Sequence, residues 1–280
     1  MTPRVFADLH SHTLLSDGQL SPESLVELAA RRGVRVLAIT DHDTTDGVAA
    51  GVAAGERLGV RVVPGVEISA DHGQSVHMLG LFVDPDAAWI RDFGAHRAEA
   101  RRGRIDVICE RLRGLGVDLD ADEIRAAAGE GTVGRPHVAR ALIDAGHATD
   151  IGDAFERFLA EGGPAYVAAE AVTVPQAIDG IVACGGVPVL AHPYVYGLDD
   201  AIPEWREAGL VGVECNHPRH SKKQIRQYRA LCEELGLLVS GGSDYHGDGM
   251  DRTAAPGSFG VTEEEFMALE GCAASSDRGR

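Results

Sequence analysis

The chain predicts an α/β fold, a parallel sheet or barrel, from three observations. Short runs of Val, Ile and Leu alternate with helical patterns over much of its 280 residues. Several of those runs are apolar throughout, as strands buried on both faces must be. Almost every cluster of His and Asp falls where such a run ends, and active sites of α/β barrels gather at that rim.

Seven runs read as strands: 4–9, 35–40, 60–66, 76–83, 187–191, 211–215 and 237–240. Between the first two, Ser21-Pro22-Glu23 is a helix cap with Pro at the first helical position; Leu25, Leu28 and Ala29 form an apolar stripe, and Gly33 stops the helix. An Ala-rich helix from 46 to 58 ends at Gly59. Another runs from 175 to 183 and stops at Gly185-Gly186. Ser221 caps a helix with Ile225, Tyr228, Cys232 and Leu235 on one face, which Gly236 terminates.

Residues 86–172 break the alternation. Ile105, Ile108, Leu112 and Leu115 space as one helical face, Pro136 opens a helix with Val138, Leu142 and Ile143, and Phe155, Phe158 and Leu159 mark a third. This segment reads as a helical insertion that caps the site. Residues 1–85 and 173–270 then form the main domain, and 271–280 a disordered tail.

Composition narrows the function. Hydrophobic residues are 44% and charged residues 25%, ordinary for a soluble domain. Asp plus Glu is 43 against 26 Lys plus Arg, a net charge of −17. An evenly acidic surface repels phosphate backbones, which argues against duplex DNA binding. No run of 18 apolar residues exists to span a membrane, and the N-terminal stretch lacks a signal-peptide core, so a cytoplasmic protein is expected. The five Cys are odd in number and contain no CxxC, which excludes a disulfide framework or a thiolate zinc site.

The chemistry lies at the strand ends. The first predicted strand runs into Asp8-Leu9-His10-Ser11-His12, the second into Asp41-His42-Asp43, and the third ends at Glu67. His77 stands near the start of the fourth. The fifth runs into His192, the sixth ends at Glu214 before Asn216-His217, and Asp244-Tyr245-His246 follows the seventh. Residues i and i+2 of a strand share a face, so His10 and His12 can bind one ion. Imidazole and carboxylate without thiolate suit Zn, Mn or Fe. So many donors exceed what one ion needs; two or three ions sharing a carboxylate fit better, with Glu67 as the bridge. Buried without partners, such groups would be very costly. His72, His96 and His147 lie outside the pattern and read as ordinary packed or surface histidines.

The ordered set D-L-H-S-H with S-D-G, then T-D-H-D, G-V-E, a single His, A-H-P and G-S-D-Y-H resembles the polymerase-and-histidinol-phosphatase (PHP) family over nearly the whole chain. The resemblance implies a distorted seven-stranded (β/α)7, TIM-like barrel with a trinuclear metal site. The inserted helices and Arg135-Pro136-His137 resemble the subgroup of stand-alone nucleotide phosphoesterases, 3′,5′-nucleoside bisphosphate phosphatases and 5′-to-3′ exonucleases on short RNA among them. By position, His10, His12, Glu67 and Asp244 would hold one divalent ion; Glu67, His77 and His192 a second; Asp17, His42 and His246 a third, more oxygen-rich because other members carry His in place of Asp17. The activity implied is removal of a 3′-phosphate by a water acidified between two ions. His192 or His217 would protonate the leaving oxygen, Arg135 and His137 would contact phosphate from the insertion, and Asp8 and Asp41 would orient ligand imidazoles. His220, beside Lys222-Lys223 at a helix start, is a further candidate phosphate contact. The six Arg of 97–113 read as a solvated helix face. Glu170 stands where relatives often place a Lys. Partners would be a small phosphorylated substrate, a nucleotide, or short RNA ends.

Three rival readings compete with this one. A histidinol-phosphate or other pathway-specific phosphatase would share the metals but not the Arg135 insertion. A C–N-cleaving amidohydrolase often carries a carboxylated Lys near its fourth strand, whereas this chain's only lysines are Lys222 and Lys223. A non-catalytic metal-binding module sits poorly with so complete a ligand set.

Overall fold

The computed structural model describes residues 5–128, 133–168, 171–247 and 254–276. The chain forms two compact units, Met1–Phe93 with Ala171–Arg280, and Gly94–Glu170.

In the first unit the strands are β1 (Ala7–Asp8), β2 (Val36–Ile39), β3 (Arg61–Asp71), β4 (Ser75–Leu81), β5 (Val172–Thr173), β6 (Val187–Leu190), β7 (Gly212–Asn216) and β8 (Leu238–Gly241). They pair in the order β1-β2-β3-β4-β6-β7-β8, with the short β5 added beside the end of β3. The sheet curls until its edges nearly meet: Leu9 donates to the Gly241 carbonyl at 3.1 Å and His12 to the Tyr245 carbonyl at 2.9 Å. The result is an α/β, TIM-like barrel built on seven strands.

One feature departs from the parallel expectation. β4 is antiparallel to both β3 and β6. The cause is chain length. Only His72, Gly73 and Gln74 join β3 to β4, and a parallel pair needs a crossover of a dozen residues. β3 also runs five residues past its expected end at 66, so the two strands form one long hairpin.

The helices behave as their caps dictate. α1 (Pro22–Arg31) starts at Ser21, whose hydroxyl accepts the Ser24 N–H, and buries Leu25, Val26 and Ala29. α2 (Val48–Leu58) ends at Gly59 with φ 70°, a left-handed cap that Gly adopts without a Cβ penalty. The second unit carries the rest of α3 (Ala88–Gly114), then α4 (Ala121–Ala127), α5 (Arg135–Asp144) and α6 (Ile151–Ala154), followed by a π-helical turn, Phe155–Leu159. Ile105, Ile108, Leu112, Val138, Leu142 and Phe158 close a core of its own. Leu115, expected on the α3 face, lies beyond the helix end and is exposed.

Back in the barrel, α7 (Val174–Ala183), α8 (Ile202–Glu207) and α9 (Lys222–Leu235) pack Ile178, Ile181, Trp205 and Tyr228 onto the sheet. α10 (Glu263–Ser276) buries Phe266 and Leu269 against residues of β1, β4 and β6. Residues 271–276, expected in a disordered tail, continue this helix, because Cys272 and Ala273 still pack on that core. Among the described residues no helix is long and apolar enough to cross a membrane.

Candidate metal centre

The barrel's strand ends bring the nine expected ligands into one constellation, and Glu67 stands at its middle. Glu67 is 1% exposed. Its Oε2 lies 3.2 Å from His10 Nε2, 3.1 Å from His12 Nε2 and 3.2 Å from His42 Nδ1. Its Oε1 lies 2.9 Å from His77 Nδ1 and 3.0 Å from His192 Nε2. Asp244 Oδ1 sits 3.3 Å from the Nε2 of both His10 and His12. On the outer side, Asp17 Oδ1 is 3.3 Å from His246 Nε2 and its Oδ2 is 3.7 Å from His42 Nε2.

The reversed strand explains the one odd phase in the sequence. In β4 the N-terminal end lies at the rim where parallel strands put their C-terminal ends. His77 pairs with Ser69, two residues from Glu67 on the same face, and so meets the same centre from the start of its strand.

These donors fit divalent ions. Two atoms each about 2.1 Å from a shared ion at tetrahedral angles lie about 3.4 Å apart, and the separations here are 3.0–3.3 Å around the first cluster. Nitrogen and carboxylate oxygen without sulfur match Mn, Fe or Zn. Among the described residues, four groups of donors lie close enough to hold an ion: His10, His12 and Glu67; His10, His217 and Asp244; His42, Glu67 and His77; and His12, Asp17, His42 and His246. His217 thus joins a set in which it was not expected, and His42 stands with Glu67 and His77.

Charge balance fits the same purpose. Burial would strip protons from His10 and His12, but carboxylates outweigh it. Glu214, Glu67 and Asp244 hold His10 well above the ordinary imidazole range, and Asp244 and Glu67 push His12 up to about 10. Burial wins at His42, down to about 4, over the pull of Glu67 and Asp17. Burial favours the neutral form of Glu67 and Asp244, yet the imidazoles hold both well below the carboxylate range.

The supporting shell differs from expectation. Asp8 and Asp41 do not orient imidazoles. Asp8 accepts backbone N–H groups from Ser243 at 2.9 Å and Gly257 at 2.8 Å, and burial lifts its pKa to about 6 against those bonds. Asp41 accepts the Thr13 N–H and hydroxyl, both at 2.7 Å, and the Ser16 hydroxyl at 2.6 Å, which fixes the loop leading to Asp17. The imidazole-orienting acid is Glu214: Oε1 lies 3.1 Å from His10 Nδ1, and Oε2 accepts the His192 N–H at 2.8 Å. Tyr196 is the second missed residue. Its hydroxyl is 2.9 Å from His192 Nδ1 and accepts the His77 N–H at 2.9 Å. Glu214 ends a strand and was visible in the pattern; Tyr196 had no signal beyond following A-H-P by three residues.

His192 and His217 were expected to give a proton to the leaving group, but their ring nitrogens are all engaged. His192 spans Glu67 and Tyr196. His217 is fully buried, its Nδ1 accepts the Arg219 N–H at 3.2 Å, and its Nε2 faces Asp244 Oδ2 at 3.2 Å. In this arrangement neither ring presents a free nitrogen to a leaving group. His220 turns away from the carboxylates and donates Nδ1–H to the Cys215 carbonyl at 2.9 Å, with Nε2 buried and unpartnered.

Arg135 and His137 lie in the second unit. The Arg135 guanidinium stands 5.3 Å from the Tyr166 ring centroid and 5.7 Å from that of Phe155, and donates to the Leu159 carbonyl at 3.1 Å. His137 Nδ1 accepts the Gly134 N–H at 3.2 Å and so caps α5. The arginines of α3 are not one solvated face: Arg97 is 4% exposed, and burial with Arg135, Arg101 and Arg97 nearby pulls Arg104 down to about 10. Glu170 falls outside the described residues.

His192, at φ 27°, and Asp244, at φ 50°, occupy the left-handed region. L residues go there at a cost of about 1–2 kcal/mol each. Two residues of the constellation held in unfavourable backbone mark a site whose geometry the surrounding fold enforces.

Comparison with known proteins agrees with this geometry. Residues 8–114 match the PHP domain. The chain is 34% identical to a 3′,5′-nucleoside bisphosphate phosphatase of Chromobacterium violaceum, over 86% of this chain and 87% of that one. It is 37% identical to the 5′-3′ exoribonuclease Rnm of Escherichia coli, over 86% and 85%. A candidate metal-dependent phosphoesterase from Bifidobacterium adolescentis superposes with a TM-score of 0.85 at 30% identity, covering 96% of this chain and 97% of that one.

Proposed function

Because the chain belongs to the PHP family of metal-dependent phosphoesterases, we propose that its centre removes the 3′-phosphate of a nucleoside 3′,5′-bisphosphate. The observation that carries the metal reading is Glu67, one carboxylate whose two oxygens face five imidazoles. Each oxygen of such a carboxylate would be available to help hold a divalent ion. His10, His12 and Asp244 would complete the first set, His77 and His192 the second, and Asp17, His42 and His246 a third. Divalent ions there would supply Lewis acidity toward phosphoryl oxygens and a water acidified toward neutral pH.

The chain's own groups do the positioning. Glu214 fixes the tilt of His10 and the backbone of His192. Tyr196 ties His192 to β4. His217 holds Asp244 by its outer oxygen. Such partners keep donors in a narrow geometry, and their loss typically costs 10–100-fold in affinity or activity. The nucleotide assignment draws support from the relatives named for a nucleoside bisphosphate and for RNA.

The test is phosphate release from adenosine 3′,5′-bisphosphate by Mn-loaded protein, beside histidinol phosphate and a short RNA. Release at the 3′ position, faster than from histidinol phosphate, is expected. Metal-replete protein inert on the bisphosphate overturns the substrate assignment.

A further inference from the structure

Among the described residues, Tyr194 is the one exposed aromatic side chain, at 54%. Its place is unusual for so large an apolar surface. It lies two residues after His192, on a short 3-10 turn, Pro193–Val195, that leaves the end of β6.

That turn is pinned on every side but one. Val195 donates to the His192 carbonyl and Tyr196 to the Pro193 carbonyl, both at 3.1 Å. Tyr196 is tied at its hydroxyl to His192 and His77, and its carbonyl accepts the Gln74 side-chain amide at 3.0 Å. Pro193 is buried. The Tyr194 ring stands out of this rigid frame, and its hydroxyl has no hydrogen-bond partner among the described residues. Among those residues the ring meets one neighbouring ring, and the rest of it is exposed.

Its inner side is linked through two histidine rings to the metal centre. Tyr194 meets His220 edge-on, 6.4 Å between centroids at 87°. His220 lies 5.4 Å from the His217 ring, and His217 faces Asp244. A continuous row of rings thus runs from the ligand Asp244 out to an exposed aromatic face.

We propose that Tyr194 is the platform on which the base of the substrate stacks. This rests on the nucleotide reading above and deepens it by naming the base as a recognised group. A π-face accepts any base, so the platform gives preference for base-bearing phosphoesters without choosing among purines and pyrimidines. A rigid backbone means the ring need not be ordered on binding, which keeps the entropic cost low.

The experiment compares two substrates, adenosine 3′,5′-bisphosphate and its abasic tetrahydrofuran 3′,5′-bisphosphate analogue, on Mn-loaded wild type, Tyr194→Ala and Tyr194→Phe. Tyr194→Ala is expected to raise KM for the adenosine substrate by roughly 5- to 150-fold, the range that loss of one stacking ring brings, with kcat within about twofold. Tyr194→Phe keeps the wild-type KM, and the abasic substrate is indifferent to both changes. Equal losses on both substrates, or no loss on the adenosine one, overturn the platform while leaving the nucleotide reading intact. A metal-replete wild type inert on both substrates overturns the nucleotide reading, and the platform with it.

Discussion

Glu214→Gln isolates what an orienting acid contributes to the centre. Glu214 is fully buried, and each of its oxygens has one partner: His10 Nδ1 at 3.1 Å and the His192 N–H at 2.8 Å. When His10 offers Nε2 to an ion, its Nδ1 carries the proton, so both partners are donors. Gln has nearly the same shape but one oxygen and one NH2. Whichever way the amide turns, one buried donor faces another. An unsatisfied buried donor costs about 1–3 kcal/mol, and at about 1.4 kcal/mol per tenfold this predicts an ion in the His10 set bound roughly 5- to 150-fold more weakly. Loss of the negative charge acts in the same direction, because a carboxylate behind an imidazole raises its basicity. The assay is Mn affinity by chelator competition on metal-free protein, with turnover followed as metal is added back. Affinity should fall and turnover should largely recover at saturating Mn, since every direct ligand is still present. Affinity within twofold of wild type would sink the orienting role. Lost turnover at unchanged affinity would place Glu214 in the reaction itself.

The remaining predictions act on the ligands and their packing. Glu67→Gln should abolish tight metal binding and nearly all turnover while circular dichroism shows the fold retained; full activity in a metal-replete variant refutes the bridging role. Metal uptake should release protons, because the carboxylates keep His10 and His12 protonated in the metal-free centre with His12 near 10. Affinity should therefore rise with pH between 6 and 8, by up to about tenfold per unit for each proton displaced, and a flat profile contradicts this. Gly242→Ala should cost metal binding although Gly242 is no ligand: an added Cβ would stand 2.3 Å from His10 Cβ and 2.5 Å from His10 N, so His10 must move. Wild-type metal affinity in that variant would show that the strand end can yield.

Which parts could be read from the sequence follows from what each signal depends on. Buried strands announce themselves by composition, because a residue covered on both faces must be apolar; the runs at 187–191 and 211–215 became β6 and β7 within a residue at most edges. The donors that converge on Glu67 were legible because a polar residue at the end of such a run has no bland reason to be there. Strand direction was not, since an apolar run reads the same both ways. The sign was present in the nine residues without a helix pattern between the third and fourth runs, and in His77 at the wrong end of its strand. Tyr196 and the acceptors of Asp8 and Asp41 were illegible for another reason. Hydrogen bonds across the sheet depend on which loop lies beside which, and only the fold determines that.

Those cross-loop bonds give the D-x-H pattern a physical sense that ligand counting misses. Four acids at or beside strand ends each reach the backbone of a neighbouring strand or of the loop beyond one. Asp8 of β1 takes Ser243 and Gly257, beyond β8. Asp41, just past β2, takes Thr13, beyond β1. Asp43 accepts the Ser69 N–H of β3 at 2.8 Å, and Glu214 of β7 takes His192, beyond β6. Adjacent strands of the barrel are thus laced by carboxylates at the rim, while histidines a residue or two away in the chain face the centre. Loops rich in His and carboxylate donors carry little apolar surface, so burial alone would leave them loose. Ionised acids bound to backbone N–H groups form strong, short bonds there. Asp8 and Asp41, expected to orient imidazoles, therefore do a prior job together with Asp43 and Glu214: they hold the strand ends and loops still enough for the histidines to converge on Glu67.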